Sequence, residues 1–447
     1  MKIKFFAIAA LAATALFASC NRSEKLNPDE PGKPTSMKVS ITFPNGPQTR
    51  ATVDPNAVPE EAEIKTVDIF IYYFASNNFA SHTRLTAADF TQTGTGLGGV
   101  TDAYVYSSAN KIPTTTGDKV VFAGINLPNS VVDAIKYKPG ATLHQVAQTM
   151  SREDLTGANG FAMFNVNTER RIFVEDPEDP ENHVTLRCKR LVAKVTVERS
   201  ATVDIAGAPG VLGTLQFAIF NFNTKLFMMI PTYIDPNWSD SEYNPADFNN
   251  PPDHNNPLTG GFVNVLDRAV IGSPTIGQYN PRYAAENSSE LKRKKEITRA
   301  VVRATFVPRD ITVGTTGNFN VVTNPNPTTV QTFYAVTPSV TLGTSYFTTQ
   351  SIAAAFATEK GGTVIEYTNG YCYWDIFLNK NPADVTNRWD VLRNDFYKCN
   401  ITRIVAPGRH TPDVPDPENT PDVDTSITAD IEIFFWHTPI LSNYILE

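Results

Sequence analysis

The sequence predicts an all-β protein built from β-sandwiches. Short runs of branched and aromatic residues recur along the chain, and Gly, Pro, Asn and Asp separate them, which is the pattern of strands joined by turns. Few segments have the periodicity of a helix. With 447 residues, 41% of them hydrophobic, the chain is long enough for about two or three domains, each with its own core.

The first residues are typical of an export signal. Lys2 and Lys4 precede an apolar stretch, residues 5–18, that is too short to cross a bilayer. Small residues then lead to Cys20, as in a bacterial lipobox, and we predict that Cys20 carries a lipid. The alternative is a plain signal peptide with an incidental cysteine. Residues 21–35 are polar and contain three prolines, so we interpret them as a flexible tether.

The next segment has the alternation of a half-buried strand. Met37, Val39, Ile41 and Phe43 alternate with polar residues, and Pro-Asn-Gly-Pro follows at residues 44–47, which predicts a turn. Apolar side chains at every second position would lie on one face of the strand.

A single basic residue, Arg50, follows that turn in a polar loop, with Ala51 after it. A trypsin-like protease cuts such loop tips most easily. If a cut between Arg50 and Ala51 frees the strand of residues 37–43 from a sandwich, it leaves an unpaired sheet edge over an apolar floor, which is a template for a strand of another chain. The alternative is an ordinary first strand followed by an ordinary loop.

Further strands follow in order. We predict two at residues 64–74 and 119–126, a short helix near 131–136 and another helix around 142–150 that extends toward Leu155. Two prolines and four acidic residues at 176–182 indicate a domain boundary. Beyond it the expected strands are listed by residue number: 184–197 as one strand or two, 215–222, 297–306, 331–336, 363–367, 371–377 and 395–405. Residues 235–258 form a long polar insertion without periodicity.

Three cysteines remain after Cys20, and their odd number makes a disulfide framework improbable. In extended strands Cys372 would share a face with Trp374, and Cys399 with Tyr397. We therefore predict that both thiols are small buried groups, with a bridge between Cys372 and Cys399 as the alternative.

The chain ends on an apolar strand rather than a polar tail. Residues 427–435 alternate, and an extended apolar stretch continues to the last residue. Pro439 interrupts this stretch, so its inward face is either Ile440, Tyr444 and Leu446 or Leu441 and Ile445. The apolar side chains of such an end need to be buried, either in their own domain or in a groove of a second copy. About five inward side chains would contribute on the order of 10 kcal/mol before ordering costs.

Composition argues against several classes of function. A net charge of −8 and the absence of a long basic run argue against a nucleic-acid partner. The short basic run at residues 292–295 lies between Glu290 and Glu296, and we interpret it as a solvated loop. No sequence motif of an enzyme, a metal site or a cofactor site is present, so we predict a protein without catalytic activity, metal or cofactor.

Taken together and in order, these features resemble the fimbrillin family, the type V pilins. The features are the lipobox at Cys20, the strand with its Gln-Thr-Arg-Ala site at Arg50, and several later segments. Those segments are Arg-Leu-Val-Ala-Lys-Val at residues 190–195, Asn-Gly-Tyr at 369–371, the Arg-Asn-Asp-Phe-Tyr strand at 393–397 and the terminal strand with Trp436. Two positions depart from the family pattern: Asp395, where a His or similar residue is expected, and Pro439.

The resemblance implies two tandem transthyretin-like sandwich domains and a fimbrial shaft subunit. It implies export to the outer membrane as a lipoprotein, cleavage after Arg50 by an arginine-specific protease, and polymerisation in which the C-terminal strand of one copy fills the groove of the next. Other copies and the tip and anchor subunits would be the partners in fimbriae on the cell surface, with a role in adhesion and biofilm. Tip and anchor subunits usually lack the removable strand or the donor tail.

The predicted organisation has five parts. They are the signal peptide (1–20), the tether with the removable strand (21–50), the first sandwich (51–183), the second sandwich (184–425) and the donor segment (426–447). The predicted donor side chains are Ile431, Ile433, Phe435, Trp436, Ile440, Tyr444 and Leu446.

A different class of function stays open from sequence. A lipid-anchored surface lectin could be built from the same sandwiches, with aromatic residues of the 233–243 loop, including Trp238, as a sugar platform. A tip or anchor subunit is a further alternative. A lectin would tolerate the loss of Arg50 and of the C-terminal strand, whereas a polymerising subunit would not.

Overall fold

The structure is a computed structural model that describes most of the chain. The described residues are 32–43, 61, 63–97, 100–140, 147–157, 159–166, 168–204, 210–229, 236–239, 241, 243–249, 261–268, 280–337, 344–379, 389–421 and 427–435.

The N-terminal part is a mixed sheet with two short helices. Its elements are β1 (Pro34–Phe43), β2 (Thr66–Tyr73), β3 (Phe79–Thr86), β4 (Phe90–Leu97), β5 (Val100–Ser108), β6 (Ile112–Thr115), β7 (Gly117–Ile125), α1 (Asn129–Lys136), β8 (Ala147–Thr149), α2 (Arg152–Thr156), β9 (Met163–Asn165), β10 (Glu169–Phe173) and β11 (His183–Arg190). The strand order is β3, β2, β7, β9, β11, β1, β5, β4, with β10 on β7 and β6 on β1.

Strands from both ends of this sheet contribute to one hydrophobic core. The buried alternating residues of β1 meet those of β2, β7 and β11, and partly buried residues of β3, β4 and β5 pack around them. A sheet whose two halves cover the same core is a β-sandwich. Asn126 directly follows β7. It has a positive φ of 54°, and its side-chain oxygen accepts hydrogen bonds from the backbone N–H groups of Lys65 and Thr66. Asparagine tolerates this left-handed conformation better than most residues.

The C-terminal part begins with the long strand β12. Its elements are β12 (Val192–Asp204), β13 (Gly210–Leu212), β14 (Gln216–Phe220), β15 (Phe222–Asn223), β16 (Lys225–Phe227), β17 (Phe248–Asn249), β18 (Val263–Asn264), β19 (Leu266–Asp267), β20 (Arg282–Ala285), β21 (Arg299–Pro308), β22 (Asp310–Thr315), β23 (Asn318–Thr323), β24 (Phe333–Thr337), β25 (Ser345–Phe347), α3 (Gln350–Lys360), β26 (Thr363–Tyr367), β27 (Tyr371–Phe377), β28 (Asp395–Ile404) and β29 (Ile427–Phe435).

Two sheets of this part face each other over a second core. One has the order β19, β12, β28, β29 with β20 on β12, and the other has the order β13, β21, β14, β18 with β27 on β21. Alternate side chains of β12 and β28 pack against those of β14, β21 and β27, which makes a second β-sandwich. A three-stranded sheet of β25, β24 and β26 adds to this core, and α3 packs on that sheet through Ala353 and Phe356.

The all-β prediction is confirmed, and most predicted strands are present within a few residues of their expected bounds. The predicted helix at 142–150 is wrong where it is described: residues 147–149 form β8, which pairs with β16, and helix α2 begins only at Arg152 behind a Ser151 cap. Helix α3 was not predicted. Only two of its residues are buried, so its apolar periodicity is weak.

The predicted boundary after residue 183 lies one strand before the change of core. Residues 184–197 form two strands, and the first of them, β11, lies in the N-terminal sheet between β9 and β1. Its side chains Val184, Leu186 and Cys188 belong to the first core. The second core begins with Ala193 on β12, because the chain passes between the sandwiches at Leu191 and Val192.

The predicted burial of the thiols is confirmed. Cys372 and Cys399 are free and fully buried in the second core together with Trp374 and Tyr397. Trp389 is buried as well, whereas Trp436 lies outside the described residues.

Candidate functional site

Strand β1 lies inside its sheet and is paired along both edges. On one edge, residues 38–42 pair in parallel with residues 183–187 of β11. On the other edge, residues 40–43 pair antiparallel with β5 and residues 34–37 with β6. We call the position of β1 between β11 and the β5–β6 wall the β1 slot. Without β1, the slot would present two unpaired strand edges.

The inward face of β1 is fully buried. Met37, Val39 and Ile41 are at most 1% exposed and Phe43 is 5% exposed; the Phe43 ring contacts the ring of Tyr106 edge to face at 5.8 Å. Burial of each such side chain is worth about 1.5–3 kcal/mol, so the four together stabilise the first core by roughly 10 kcal/mol before ordering costs. An empty slot would therefore destabilise the sandwich strongly.

The outward face of β1 is polar, and it is buried at Ser40 and Thr42 but exposed at Lys38. Ser40 and Thr42 are each 2% exposed. The Ser40 hydroxyl lies 2.8 Å from Ser107 Oγ and 2.8 Å from His183 Nε2. Partial burial, together with the charges of Lys38 and Arg171, lowers the pKa of His183, so the imidazole beside Ser40 favours its neutral form.

The turn before β7 holds the start of β1. The Thr116 backbone N–H donates to the Lys33 carbonyl at 2.8 Å, and Lys33 N–H donates to Thr116 Oγ1 at 3.0 Å. The Lys119 ammonium is buried under this turn and donates to the carbonyls of Thr115 and Thr116. Burial lowers the pKa of Lys119 to about 8. The first residues of β1 are thus attached to the body of the sandwich.

The predicted processing residues Cys20, Arg50 and Ala51 lie outside the described residues. The next described residue after β1 is Glu61, which is fully buried. The Lys194 ammonium, also fully buried, lies 2.8 Å from Glu61 Oε1, and Tyr283 OH donates to the same oxygen at 2.8 Å. Arg190 Nε donates to the Glu61 carbonyl at 2.9 Å. Burial raises the pKa of the Glu61 carboxyl, and the cations Lys194 and Arg190 act in the opposite direction.

Glu61 therefore fixes the chain at the junction of the two sandwiches. Arg190 ends β11 of the first sheet, while Lys194 lies on β12 of the second. The segment that precedes Glu61 in sequence contains the predicted cut, so the buried ion pair lies on the retained side of that cut.

Strand β29 forms the C-terminal edge of the second sandwich and pairs with β28. Burial decreases along it: Ile427 and Ala429 belong to the core, Ile431 packs partly buried against it, and Ile433 is 43% exposed. The side chain of Phe435 and the whole of Trp436, Ile440, Tyr444 and Leu446 lie outside the described residues. The predicted donor segment 426–447 thus begins with residues that belong to their own domain.

The aromatic loop of the lectin alternative is engaged with the protein itself where it is described. Tyr243 OH donates to the Lys295 carbonyl at 3.2 Å, and the Arg293 and Lys295 cations lie within 6 Å of its ring centre. The Trp238 side chain is partly buried, and its carbonyl accepts a hydrogen bond from Glu290 N–H. Tyr233 lies outside the described residues. This arrangement does not favour a sugar platform.

The interpretation of residues 292–295 as a solvated basic loop is wrong. Lys292 pairs with Asp390, Arg293 with Glu296 and Lys295 with Glu418, while Lys294 is 7% exposed. Because neighbouring acids neutralise these cations, the run does not form the exposed basic patch that binds phosphates.

In the part of the chain that the structure describes, no three His, Cys, Asp or Glu side chains are grouped to hold a metal ion. No helix there is long and apolar enough to cross a membrane.

The end of the second sandwich matches a known protein family. Residues 365–439, from β26 through β29, match the family model described as major fimbrial subunit protein type IV, fimbrillin, C-terminal. These residues are similar to the C-terminal region of the fimbrillins. The match includes Asn369, before β27, and Arg393, before β28, and it thereby supports the resemblance to the fimbrillins. Among curated protein sequences, none matches the chain at a significant level.

Solved structures of fimbrial proteins are similar to this chain at low identity. The tip fimbrial protein Mfa3 of Porphyromonas gingivalis, solved with a C-terminal truncation, matches with 14% identity and a TM-score of 0.37, over 90% of this chain and 100% of that one. A fimbrial assembly protein of Parabacteroides distasonis has 10% identity, a TM-score of 0.35 and coverage of 83% and 92%. The fimbrial anchor protein Mfa2 of P. gingivalis has 10% identity, a TM-score of 0.25 and coverage of 82% and 90%. These scores are below 0.5, so the fold assignment depends on the strands and cores described above.

Sequence reasoning placed β1 but missed the polar groups that hold it. Ser40, Ser107, Ser108 and His183 meet only because β5 and β11 flank β1 in space, and no local pattern indicates that pairing. The consecutive serines 107 and 108 at the end of a strand were a weak signal. Nothing in the sequence distinguishes Glu61, because Glu60 and Glu63 beside it have the same side chain.

Proposed function

We propose that this protein is a structural subunit of a cell-surface fimbria that polymerises by strand exchange. In this proposal the chain is exported to the outer membrane as a lipoprotein anchored at Cys20, and an arginine-specific protease then cuts it between Arg50 and Ala51. The removable strand of Met37, Val39, Ile41 and Phe43 leaves, and the C-terminal strand of another copy takes its position. The function is structural and adhesive rather than catalytic.

The observation that carries the proposal is the position of β1. It is a core strand with both edges paired, and it ends at Phe43, so the predicted cut after Arg50 would separate β1 from the rest of the sandwich. The two edges and the apolar floor of the slot would then need a new strand. An ordinary surface strand would not leave such a vacancy.

The C-terminus supplies the matching element in this proposal. The apolar residues that follow β29 in sequence, Trp436, Ile440, Tyr444 and Leu446, would extend from one copy into the slot of the next. A chain with both a removable strand and a donor tail suits the shaft, with tip and anchor subunits as further partners. The fimbrillin C-terminal region supports the same class of function.

The experiment is N-terminal sequencing and gel electrophoresis without boiling, on protein from the native cell surface and on purified precursor treated with trypsin. We expect a mature chain that begins at Ala51 and a ladder of multimers that collapses on heating. The matched control is the Arg50→Ala precursor, which should stay monomeric after the same treatment. A cell-surface chain that still begins at Cys20 and migrates as a monomer would contradict the proposal, as would a ladder from the Arg50→Ala precursor.

A further inference from the structure

The outward face of β1 is closed by a group of hydroxyls that is separate from the apolar floor of the slot. Ser107 Oγ lies 2.8 Å from Ser40 Oγ and 2.8 Å from Thr93 Oγ1, and His183 Nε2 lies 2.8 Å from Ser40 Oγ on the other side. Ser40 and Ser107 are 2% and 6% exposed. Ser40 thus joins β1 to a polar group on each of its two neighbouring strands.

The wall of the slot also departs from regular pairing at this place. Residues 34–37 pair with β6 and residues 40–43 pair with β5, and the register shifts by two residues between them. Four wall residues, 108–111, where the chain bends from β5 to β6, therefore lie opposite two residues of β1. There the Val39 N–H donates to the Ser108 hydroxyl at 3.1 Å.

These contacts set requirements on any strand in the slot. A branched apolar side chain at the position of Ser40 would place methyl groups where hydroxyls now lie 2.8 Å apart, and it would remove a hydrogen-bond partner from both Ser107 and His183. A proline at the position of Val39 would leave Ser108 without the N–H that it now accepts.

We propose that the β1 slot selects its occupant through this polar site. The occupant is an extended segment with alternating apolar residues, a serine or threonine at the outward position of Ser40, and a residue other than proline at the position before it. This proposal rests on the proposed exchange of β1 and adds a criterion of specificity to it.

The sequence of the chain contains hydroxyls with suitable spacing. Thr438 and Ser442 are four residues apart, as are Ser36 and Ser40 of β1, so each pair would lie on one face of an extended strand. The occupant in this proposal is the C-terminal segment of a second copy with one of these hydroxyls outward, so that Leu441 and Ile445 face the apolar floor. The alternative inward face is Ile440, Tyr444 and Leu446.

The test uses full-length protein cut after Arg50 and labelled synthetic peptides with the β1 sequence of residues 34–43. The native peptide, a Ser40→Val peptide, a Ser40→Thr peptide and a Ser36→Val peptide are compared by fluorescence anisotropy. Ser36→Val is the matched control, since Ser36 has the same chemistry on the same face but is only partly buried. We expect the native, Ser40→Thr and Ser36→Val peptides to exchange similarly and the Ser40→Val peptide to bind about tenfold more weakly or worse.

A second variant shows whether the wall causes the discrimination. In Ser107→Ala protein, the ratio of the binding affinities of the native and Ser40→Val peptides should fall to about threefold or less. Equal binding of the native and Ser40→Val peptides to the unmodified protein would overturn the proposal, as would a ratio unchanged by Ser107→Ala. If no peptide enters the slot although the cut is complete, β1 is not exchangeable, and the proposed function fails together with this inference.

Discussion

Asp395, which departs from the fimbrillin pattern, has a carboxyl group with a raised pKa. It begins β28, where burial raises the pKa of its carboxyl to about 6; Lys189 opposes this shift and Glu286 adds to it. The usual aspartate pKa in an unfolded chain is about 3.9. The folded state therefore binds a proton on Asp395 more tightly than the unfolded chain does.

We predict that Asp395→Asn stabilises the protein at neutral and alkaline pH. The contribution of the raised pKa to stability is complete below about pH 4 and is lost as the pH rises through about 6. An amide avoids that loss, so the free energy of unfolding should increase by about 2 kcal/mol at pH 8 and change little at pH 4. Thermal unfolding at both pH values measures this, with the exposed Asp310→Asn as the matched control.

The sign of the pH dependence is decisive for Asp395. A variant that loses stability at pH 8 would show instead that the ionised carboxylate has a favourable partner in Lys189. A variant with the same effect at both pH values would show that the change acts through packing.

Strand β1 could be predicted from sequence, but its neighbours could not. The alternation from Met37 to Phe43 predicts a strand with one apolar face, because each side chain carries that information locally. Pairing with β11 joins residues more than 140 positions apart, and the burial of Ser40 and Thr42 follows from that pairing. Polar residues on the outward face predict that this face is exposed to solvent, whereas the structure buries Ser40 and Thr42.

Strand β29 could likewise be predicted only in part. Its alternation predicts a strand, but the sequence does not indicate the residue at which burial in the second core ends. The structure places Ile427 and Ala429 in the second core and Ile433 at 43% exposure, so burial changes within one regular pattern. The predicted donor segment therefore begins with residues that belong to the second core.

We predict that truncation after Phe435 separates the role of β29 from that of the residues after it. Removal of residues 436–447 should leave thermal unfolding of the uncut precursor within a few degrees of the full chain, because β29 and its pairing with β28 are kept. Multimers should no longer form after trypsin treatment, since the proposed donor residues are lost. Calorimetry and unboiled gels measure the two effects.

Truncation after Asp424 is the comparison variant. It removes β29, and the loss of Ile427 and Ala429 should destabilise the second sandwich by several kcal/mol. If the chain that ends at Phe435 still forms a ladder of multimers, residues 436–447 are not the donor.

The two sandwiches are joined through buried charge as well as through apolar contacts. Lys194 and Glu61 have no solvent exposure, and Arg190 and Tyr283 complete their hydrogen bonds. A buried ion pair contributes little net stability relative to apolar residues, but the removal of one partner leaves a charge without compensation. Sequence could suggest two sandwiches from length and strand spacing, but not this junction, which needs residues from three distant segments.

We predict that Lys194→Met lowers the free energy of unfolding by about 3–5 kcal/mol, because the Glu61 carboxylate loses its buried cation. The double variant Lys194→Met with Glu61→Gln should recover more than half of that loss, since neither side chain is then charged. Denaturant unfolding of the unmodified protein, both single variants and the double variant measures the coupling. Equal losses in the single and double variants would show that packing rather than charge dominates the junction.

The fixed position of Glu61 also limits where the end of a cut chain can go. Ten residues lead from Ala51 to Glu61, and an extended chain advances by about 3.3–3.6 Å per residue. The amino group created by a cut after Arg50 would therefore stay within about 35 Å of the junction between the sandwiches in every copy. A fluorophore attached to that amino group would mark one fixed region of each subunit, so energy transfer between labelled copies would report the axial repeat of a fibre.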